Sequence, residues 1–367
     1  MANRAWVVQE ILSGWRKGFW PSLVRGLLFG LSVPYRMAIS LRNRFYDRKM
    51  RAVHCVDCRV ISVGNLTTGG TGKTPLVEYI ARRVLARTDK VAIVSRGYGS
   101  GDGEKSDEQL MLCENLPGVP HVTGPDRVAC TVVARRKHDA RVVILDDAVQ
   151  HRRRGRDLDV VAVDAINPFG FGHVLPRGLL RESPRSLGRA DVVVITRSAL
   201  VSPEELAAVE KDVARLAPAA LVVHAVEEVT LLDPLAGPAD SFPLGAVAGK
   251  RAVAFCGLGN PEAFRRTVAK LGVQLAAFLV FADHHRYRDD HLRAIDSVAR
   301  SENADVILTT QKDRVRLKTR QSLGDGGLPA GFDWQKPVLV VRMEMRLTKN
   351  ADAFHRRIDD LIGDAPQ

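Results

Sequence analysis

The chain has 367 residues, of which 46% are hydrophobic and 26% charged, so it can bury a substantial core and is not disordered along its whole length. Its 54 lysines and arginines outnumber its 42 aspartates and glutamates, and the formal net charge of +12 favours a negatively charged partner. Five cysteines are too few, and an odd number, for a disulfide-bonded scaffold, which indicates a reducing compartment.

Residues 1–50 carry much of the excess positive charge together with three of the four tryptophans. Apolar side chains recur there at helical spacing, at Val8, Ile11, Leu12, Trp15 and Phe19. No apolar run reaches the roughly 20 residues that span a bilayer, and no signal-peptide cleavage site follows. The pattern predicts a basic, amphipathic helix that lies in a membrane interface. The alternative is a terminal helix packed on the protein's own core.

A glycine-rich loop at residues 64–75 follows a strand-like run and precedes an amphipathic helix, which is the context of a phosphate-binding P-loop. The residues predicted to cradle the nucleotide are Gly69, Gly70, Thr71, Gly72, Lys73 and Thr74. Lys73 would reach the β- and γ-phosphates, and the Thr74 hydroxyl would bind Mg²⁺. Thr67 stands where the strict pattern has glycine, so a chance glycine-rich turn is the alternative.

A second strand-like run, residues 141–145, ends in Asp146 and Asp147. Parallel strands place ligand sites at their carboxyl ends, so Asp146 would emerge beside the phosphates and hold the metal. The loop and the acidic pair together predict an enzyme that binds ATP and Mg²⁺.

Strand-like runs alternate with helical stretches along most of the chain. This pattern predicts an α/β fold like that of P-loop NTPases, with a mostly parallel sheet and helices on both faces. We expect the P-loop domain at residues 51–222, a short β linker at 223–248 and a second, smaller α/β domain at 249–345 that contributes to the active-site cleft. The segment 1–50 would lie on the membrane.

Taken in order, these motifs resemble those of the tetraacyldisaccharide 4′-kinases, the lipid A 4′-kinases of Gram-negative bacteria. The resemblance rests on the runs 64–75, 95–99, 107–108, 146–151, 180–182, 283–285 and 309–313. The sequence departs from the family pattern at three positions. Ala148 replaces a glycine, Gln311 replaces a glutamate, and Ser106 replaces the glycine before the Asp-Glu pair.

The resemblance implies transfer of the γ-phosphoryl group of ATP to the 4′-hydroxyl of a tetraacylated glucosamine disaccharide 1-phosphate, a late step of lipid A biosynthesis. It also implies a peripheral position on the cytoplasmic face of the inner membrane. The expected partners are the lipid disaccharide and the inner-membrane surface, with no nucleic acid among them. A phosphorylated substrate and anionic lipids are consistent with the net positive charge.

The resemblance also implies three catalytic residues outside the P-loop. Asp107 becomes the candidate base for the acceptor hydroxyl, with His284 as its partner in a dyad that domain closure could assemble. Arg181 would stabilise charge on the transferring phosphoryl group, as guanidinium geometry favours.

Further residues are candidates for holding the metal or ordering the loop. Glu182 would orient Arg181 or help hold the metal, and Asp147 would be a metal ligand beside Asp146. Gln150 and His151 would contact phosphates, or they would order the loop after the acidic pair in which they lie.

A different class of function shares some of these features. A membrane-attached P-loop ATPase that acts as a partner switch also has a glycine-rich loop and an amphipathic helix. Its signature includes a lysine at the start of the loop, where this chain has Thr68. A GTP-binding protein would need an Asn-Lys-x-Asp motif, which residues 311–313 do not match.

Overall fold

A computed structural model describes residues 10–48, 50, 56–97, 106–153, 155–235, 240–283, 285–322 and 334–363. The strands are β1 (Arg59–Asn65), β2 (Val91–Ser95), β3 (His121–Thr123), β4 (Val142–Asp146), β5 (Leu158–Asp164), β6 (Val192–Thr196), β7 (Leu221–Pro234), β8 (Arg251–Cys256), β9 (Gln274–Val280), β10 (Val306–Thr310) and β11 (Val338–Lys349). The helices are α1 (Phe19–Asp47), α2 (Lys73–Leu85), α3 (Asp107–Asn115), α4 (Arg127–His138), α5 (Pro203–Leu216), α6 (Pro261–Ala269), α7 (Asp289–Ser301), α8 (Gln311–Ser322) and α9 (Ala351–Gly363).

The chain forms two compact units, and neither is continuous in sequence. Unit 1 comprises Met1–Ser100, Asn115–Val226 and Met345–Gln367, and unit 2 comprises Gly101–Glu114 and Glu227–Glu344. The chain passes from one unit to the other within the long strands β7 and β11. This division differs from the consecutive domains predicted above, most clearly at residues 101–114, which contain Asp107 and belong to unit 2.

Unit 1 contains a parallel sheet in the order β3-β2-β4-β1-β5-β6-β7. Every residue of β2 and β6 is buried, and because side chains alternate between the two faces of a sheet, both faces are covered. Strand β1 lies between β4 and β5. The predicted α/β class with a mostly parallel sheet is confirmed.

Unit 2 contains a parallel sheet in the order β11-β10-β8-β9. Its core includes Phe255 from β8, Ile295 from α7 and Ile307 from β10, all fully buried. Between the two sheets in sequence, the predicted linker region holds the end of β7 and an isolated antiparallel bridge from Leu232 to Phe242.

Helix α1 is 29 residues long and belongs to unit 1. The buried Ser32 hydroxyl donates to the Val174 carbonyl at 3.0 Å, and the Tyr35 hydroxyl donates to the Arg181 carbonyl at 3.1 Å. The exposed large apolar residues in and just before this helix are Trp15, Phe19, Trp20, Leu23, Val24, Leu27, Phe29, Leu31, Val33, Met37 and Leu41. Within the described part of the chain, no helix is long and apolar enough to cross a membrane. The sequence predicts one helical face from Val8 to Phe19, and this is wrong because residues 14–18 are not helical and the long helix begins only at Phe19. Val8 itself lies outside the described residues.

Candidate active site

The glycine-rich loop joins the end of β1 to the start of α2, as the sequence predicts. Gly69 and Gly72 have φ angles of 109° and 75°, in the left-handed region where a side chain would be strained. Gly72 is the N-cap of α2, so the unpaired backbone N–H groups of the first helical turn open onto the loop. A helix N-terminus of this kind favours a bound phosphate.

The segment that precedes Arg181 is bonded to this loop. The Thr68 backbone N–H donates to the Leu179 carbonyl at 2.7 Å, and the Arg181 backbone N–H donates to the Leu66 carbonyl at 2.7 Å. These two bonds connect positions more than a hundred residues apart in sequence. They bring Arg181 to the phosphate loop, as the resemblance implies.

Lys73, Asp147 and Arg181 form a charged cluster at the start of α2. The Lys73 ammonium donates to Asn65 Oδ1 at 3.0 Å and lies 3.5 Å from Asp147 Oδ1. Arg181 Nη1 donates to both carboxylate oxygens of Asp147, at 2.9 and 2.7 Å. Burial raises the pKa of Asp147, but the charges and hydrogen bonds of Lys73 and Arg181 outweigh it, so the net pKa is lowered. Asp147 therefore stays ionised between two cations.

Two arginines that the sequence does not single out hold the backbone of the acidic pair and of the turn that follows it. Arg127, only 3% exposed, donates from α4 to the carbonyls of Asp146 and Asp147 at 3.2 and 3.3 Å. Arg156 donates to the carbonyls of Ala148, Val149 and His151. Asp147 has a φ of 51°, a conformation that favours glycine, and these contacts help to hold the turn in place.

Gly64 explains how closely β1 approaches this turn. A Cβ atom added there would lie 2.8 Å from Val149 Cγ2 and 3.0 Å from the Val149 backbone nitrogen. A side chain at position 64 would therefore push the turn after Asp147 away from the phosphate loop. Ala148, which replaces the glycine of the family pattern, is fully buried with a β-carbon that this packing accepts.

Thr74 and Asp146 fit a magnesium site in the chemistry of their side chains. Asp146 ends β4 and pairs in register with Val63, two residues before the end of the neighbouring β1. A hydroxyl and a carboxylate are oxygen ligands of the kind Mg²⁺ prefers, and this ion usually completes its shell with water and substrate phosphates. Among the described residues no group of three or more His, Cys, Asp or Glu side chains is arranged to hold a metal.

Glu182 is not brought to the phosphate loop by this structure. Its fully buried carboxylate binds Arg189 at 2.9 Å, Asn43 at 2.8 Å and Arg42 at 3.3 Å. Burial raises the pKa of Glu182, but Arg189 and the hydrogen bonds around it lower it overall, so it is ionised. Its contacts connect helix α1 to the body of unit 1. A role for Glu182 in orienting Arg181 or in holding a metal stays a prediction.

Gln150 and His151 lie beside the charged cluster. The Gln150 amide donates to the Asn65 carbonyl at 2.8 Å and accepts from Arg181 Nη1 at 3.3 Å, so it ties the acidic loop to the end of β1. Burial, together with the positive charges of Arg127 and Arg156, lowers the pKa of His151. His151 is therefore neutral near pH 7.

Unit 2 contains the second group of predicted catalytic residues. Asp107 begins helix α3, and the Ser106 hydroxyl accepts from the Gln109 backbone N–H at 3.3 Å, as a helix-capping serine does. The Asp107 carboxylate accepts a hydrogen bond from Arg316 Nε at 2.8 Å. Ser106 thus supplies a cap where the family pattern has glycine. His284, the predicted partner of Asp107, lies outside the described residues.

The parallel sheet, the glycine-rich loop at the start of α2 and the acidic pair at the end of β4 define an α/β protein with the fold of a P-loop kinase. The family model described as "Tetraacyldisaccharide-1-P 4'-kinase" matches residues 24–363. The chain belongs to this family.

Curated relatives agree with the family model. A tetraacyldisaccharide 4′-kinase of Syntrophus aciditrophicus is 38% identical over 361 residues, covering 92% of this chain and 93% of the relative. One from Geobacter metallireducens is 39% identical over 312 residues, covering 80% and 89%. A crystal structure of Aquifex aeolicus LpxK, described as an "apo" form in complex with ATP, matches with a TM-score of 0.71 and 26% identity, covering 92% of this chain and 99% of that one.

Proposed function

We propose that this protein transfers the γ-phosphoryl group of ATP to the 4′-hydroxyl of a tetraacylated glucosamine disaccharide 1-phosphate. The observation that carries the proposal is the cluster of Lys73, Asp147 and Arg181 at the N-terminus of α2, in a chain of the tetraacyldisaccharide-1-P 4′-kinase family. Two cations beside unpaired helix N–H groups are suited to bind and neutralise a triphosphate. The alternative of a partner-switching ATPase has no support among the relatives found.

The residues of unit 1 position the nucleotide in this proposal. Lys73 contacts the β- and γ-phosphates, and Arg181 contacts the γ-phosphoryl group as it is transferred. In phosphoryl transfer, positioning and charge neutralisation provide most of the rate enhancement. Thr74 and Asp146 would hold Mg²⁺, with Asp147 as a further candidate, and the ion would neutralise charge that develops on the phosphate oxygens. Gln150 and His151 order the loop that carries the acidic pair.

Asp107 takes the proton in the chemical step. The 4′-oxygen of the disaccharide forms a bond to the γ-phosphorus, and the bond between that phosphorus and the β–γ bridging oxygen breaks, which leaves ADP. The proton of the 4′-hydroxyl moves to the Asp107 carboxylate. His284 remains the predicted partner of this carboxylate.

We further propose that α1 lies on the cytoplasmic face of the inner membrane, where a lipid disaccharide is accessible. The support is the division of the helix into a side bonded to unit 1 and a side with exposed apolar residues, in a segment rich in Arg and Trp. Such a surface is suited to the boundary between headgroups and acyl chains. The protein would then be peripheral to the membrane.

Incubation of the purified protein with Mg-ATP and the disaccharide 1-phosphate lipid tests the activity. We expect a bisphosphorylated lipid and a stoichiometric amount of ADP. Release of ADP and free phosphate without a phosphorylated lipid would contradict the proposed transfer and would support an ATPase instead.

A further inference from the structure

Helix α8 presents three cationic side chains to acidic residues of helix α3 in unit 2. Lys312 Nζ lies 2.7 Å from Glu108, Arg314 Nη2 lies 3.0 Å from Glu114, and Arg316 Nε lies 2.8 Å from Asp107. The helix that begins with the proposed base is thus attached to α8 at both ends.

Arg316 differs from the other two cations because its partners belong to three separate segments around Asp107. Its side chain is 5% exposed, and its Nε donates to Asp107 Oδ2. Its Nη1 donates to the Gly257 carbonyl and lies 3.2 Å from Asp313 Oδ1, while its Nη2 lies 3.6 Å from Asp283 Oδ1. One guanidinium therefore connects the first residue of α3, the turn after β8 and the residue that precedes position 284.

Asp313 determines how Arg316 is held. Its fully buried carboxylate accepts from the Thr310 hydroxyl at 2.6 Å, the Tyr287 hydroxyl at 2.9 Å and the Gly257 backbone N–H at 3.0 Å. Three donors hold this carboxylate in one orientation, and Arg316 Nη1 donates a hydrogen bond to one of its oxygens. Thr310 and Asp313 belong to the 309–313 motif, whose role the sequence does not reveal. Through Arg316, this motif helps to hold the Asp107 carboxylate in place.

Packing around Gly257 leaves this arrangement little room to shift. A Cβ atom at position 257 would lie 3.0 Å from Arg316 Nη1, 3.1 Å from Asp313 Oδ1 and 3.0 Å from the Ala282 carbonyl oxygen. Burial opposes the charge of Arg316, but the carboxylates of Asp107, Asp313 and Asp283 outweigh it and raise the pKa of Arg316. Arg316 stays charged and confined.

We propose that Arg316, oriented by Asp313, is a positioning residue that fixes the Asp107 carboxylate for proton transfer. The inference rests on the proposed function, in which Asp107 takes the proton of the acceptor hydroxyl. A charge-assisted hydrogen bond to one carboxylate oxygen restricts the rotation of the Asp107 side chain. Arg316 acts through Asp107, so its removal lowers the rate of transfer rather than the affinity for ATP.

The test measures kcat and the KM for ATP in the full-length protein with Mg-ATP and the disaccharide lipid. Arg316→Gln should lower kcat about 10- to 100-fold, a part of the 10²–10⁴ that general base catalysis contributes, and leave the KM for ATP within about three-fold. Arg316→Lys, which keeps the charge without the planar fork, should recover only part of the loss.

Arg314→Gln is the matched control. Arg314 lies on the same helix, is also buried and binds Glu114 and Asp233, but none of its ion pairs involves Asp107. We expect this variant to lower the melting temperature at least as much as Arg316→Gln, with kcat within about three-fold of wild type. An equal loss of kcat in both variants would show that the loss comes from loosening α3 and would overturn the inference.

A double variant separates the inference from the function on which it rests. If Arg316 acts through Asp107, adding Arg316→Gln to Asp107→Asn should cost no more than about three-fold beyond Asp107→Asn alone. Multiplicative losses would overturn the inference but not the role of Asp107. Full activity in Asp107→Asn would overturn the proposed base itself. If Arg316→Gln does not fold, Arg316→Lys decides, and wild-type kcat in that variant rejects the positioning role.

Discussion

At the scale of single residues, the phosphate site is held together by charges that neutralise one another. Asp147 binds both Lys73 and Arg181, and its backbone turn is held by the buried Arg127. A buried carboxylate of this kind stabilises the protein only while it is ionised and both cations are present. In the proposed function the same two cations contact the phosphates of the nucleotide.

Replacement of Lys73 tests the phosphate loop directly. We expect Lys73→Ala to reduce kcat at least ten-fold and to weaken ATP binding, because loss of one such charge on the phosphates costs about 3 kcal/mol. Steady-state kinetics and calorimetric titration with Mg-ATP measure both effects. Lys90→Ala, which removes an exposed cation paired with Asp139, is the control and should match wild type. A Lys73→Ala variant that keeps more than about a tenth of kcat argues against the loop assignment.

Replacement of Asp147 should make the free energy of unfolding depend less on pH in the acidic range. Because the pKa of Asp147 is lowered in the folded state, its contribution is present above the usual value of 3.8 and is lost as the pH falls further. Asp147→Asn should therefore lower the free energy of unfolding at pH 7 by about 1–3 kcal/mol, with a smaller difference from wild type at pH 3. Urea unfolding at the two pH values measures it. A difference that is the same at both would reject the ionised cluster.

At the scale of elements, helix α1 has two different sides. Arg42 and Asn43 bind the buried Glu182, and Ser32 and Tyr35 bond to the segment 174–181, so one side belongs to unit 1. The opposite side exposes apolar residues that a helix packed only on its own protein would bury. One side of α1 is thus packed on unit 1, and the interpretation of the other side as a membrane interface stays a prediction.

The exposed side of α1 should bind anionic vesicles. Leu27 and Leu31 are 63% and 60% exposed, and we expect Leu27→Ser/Leu31→Ser to weaken sedimentation with vesicles that contain phosphatidylglycerol. Leu85→Ser, an exposed leucine of α2, is the control and should bind as wild type. Added salt should also weaken binding, because charge attraction is screened within about 10 Å at 0.1 M. If the wild-type protein does not bind such vesicles at low salt, the membrane-interface prediction is wrong and α1 is only a packed terminal helix.

At the scale of the whole molecule, the predicted catalytic residues are divided between two compact units. Unit 1 contains the phosphate loop with Lys73 and the acidic pair, and unit 2 contains Asp107 with Arg316. Each group has its own network of hydrogen bonds within its unit. Nucleotide binding and proton transfer should therefore respond separately to substitution.

Asp107→Asn tests this separation. We expect kcat to fall by about 10²–10⁴, as loss of a general base does, with the Kd for Mg-ATP within a few-fold of wild type. Calorimetric titration and product formation measure the two quantities, with Lys73→Ala as the comparison that loses ATP affinity. A large loss of ATP affinity in Asp107→Asn would instead place this carboxylate on the metal of the nucleotide.

The sequence alone determined the features that neighbouring residues encode. The parallel sheet, the glycine-rich loop and the acidic pair after β4 follow from periodicity and local turn chemistry, which act over a few residues. These features specified the class of protein and most of the phosphate site, and the family model agrees with that class.

Tertiary structure decided which charged groups meet, because pairing between distant residues depends on which strands are neighbours. Glu182 binds Arg42 across 140 positions, and Arg316 binds Asp107 across 209. Residues 101–114 likewise belong to unit 2 although residues 56–97 before them belong to unit 1. Arginine carries no sequence signal for its partner: its long side chain bonds whichever carboxylate or carbonyl the fold places within reach.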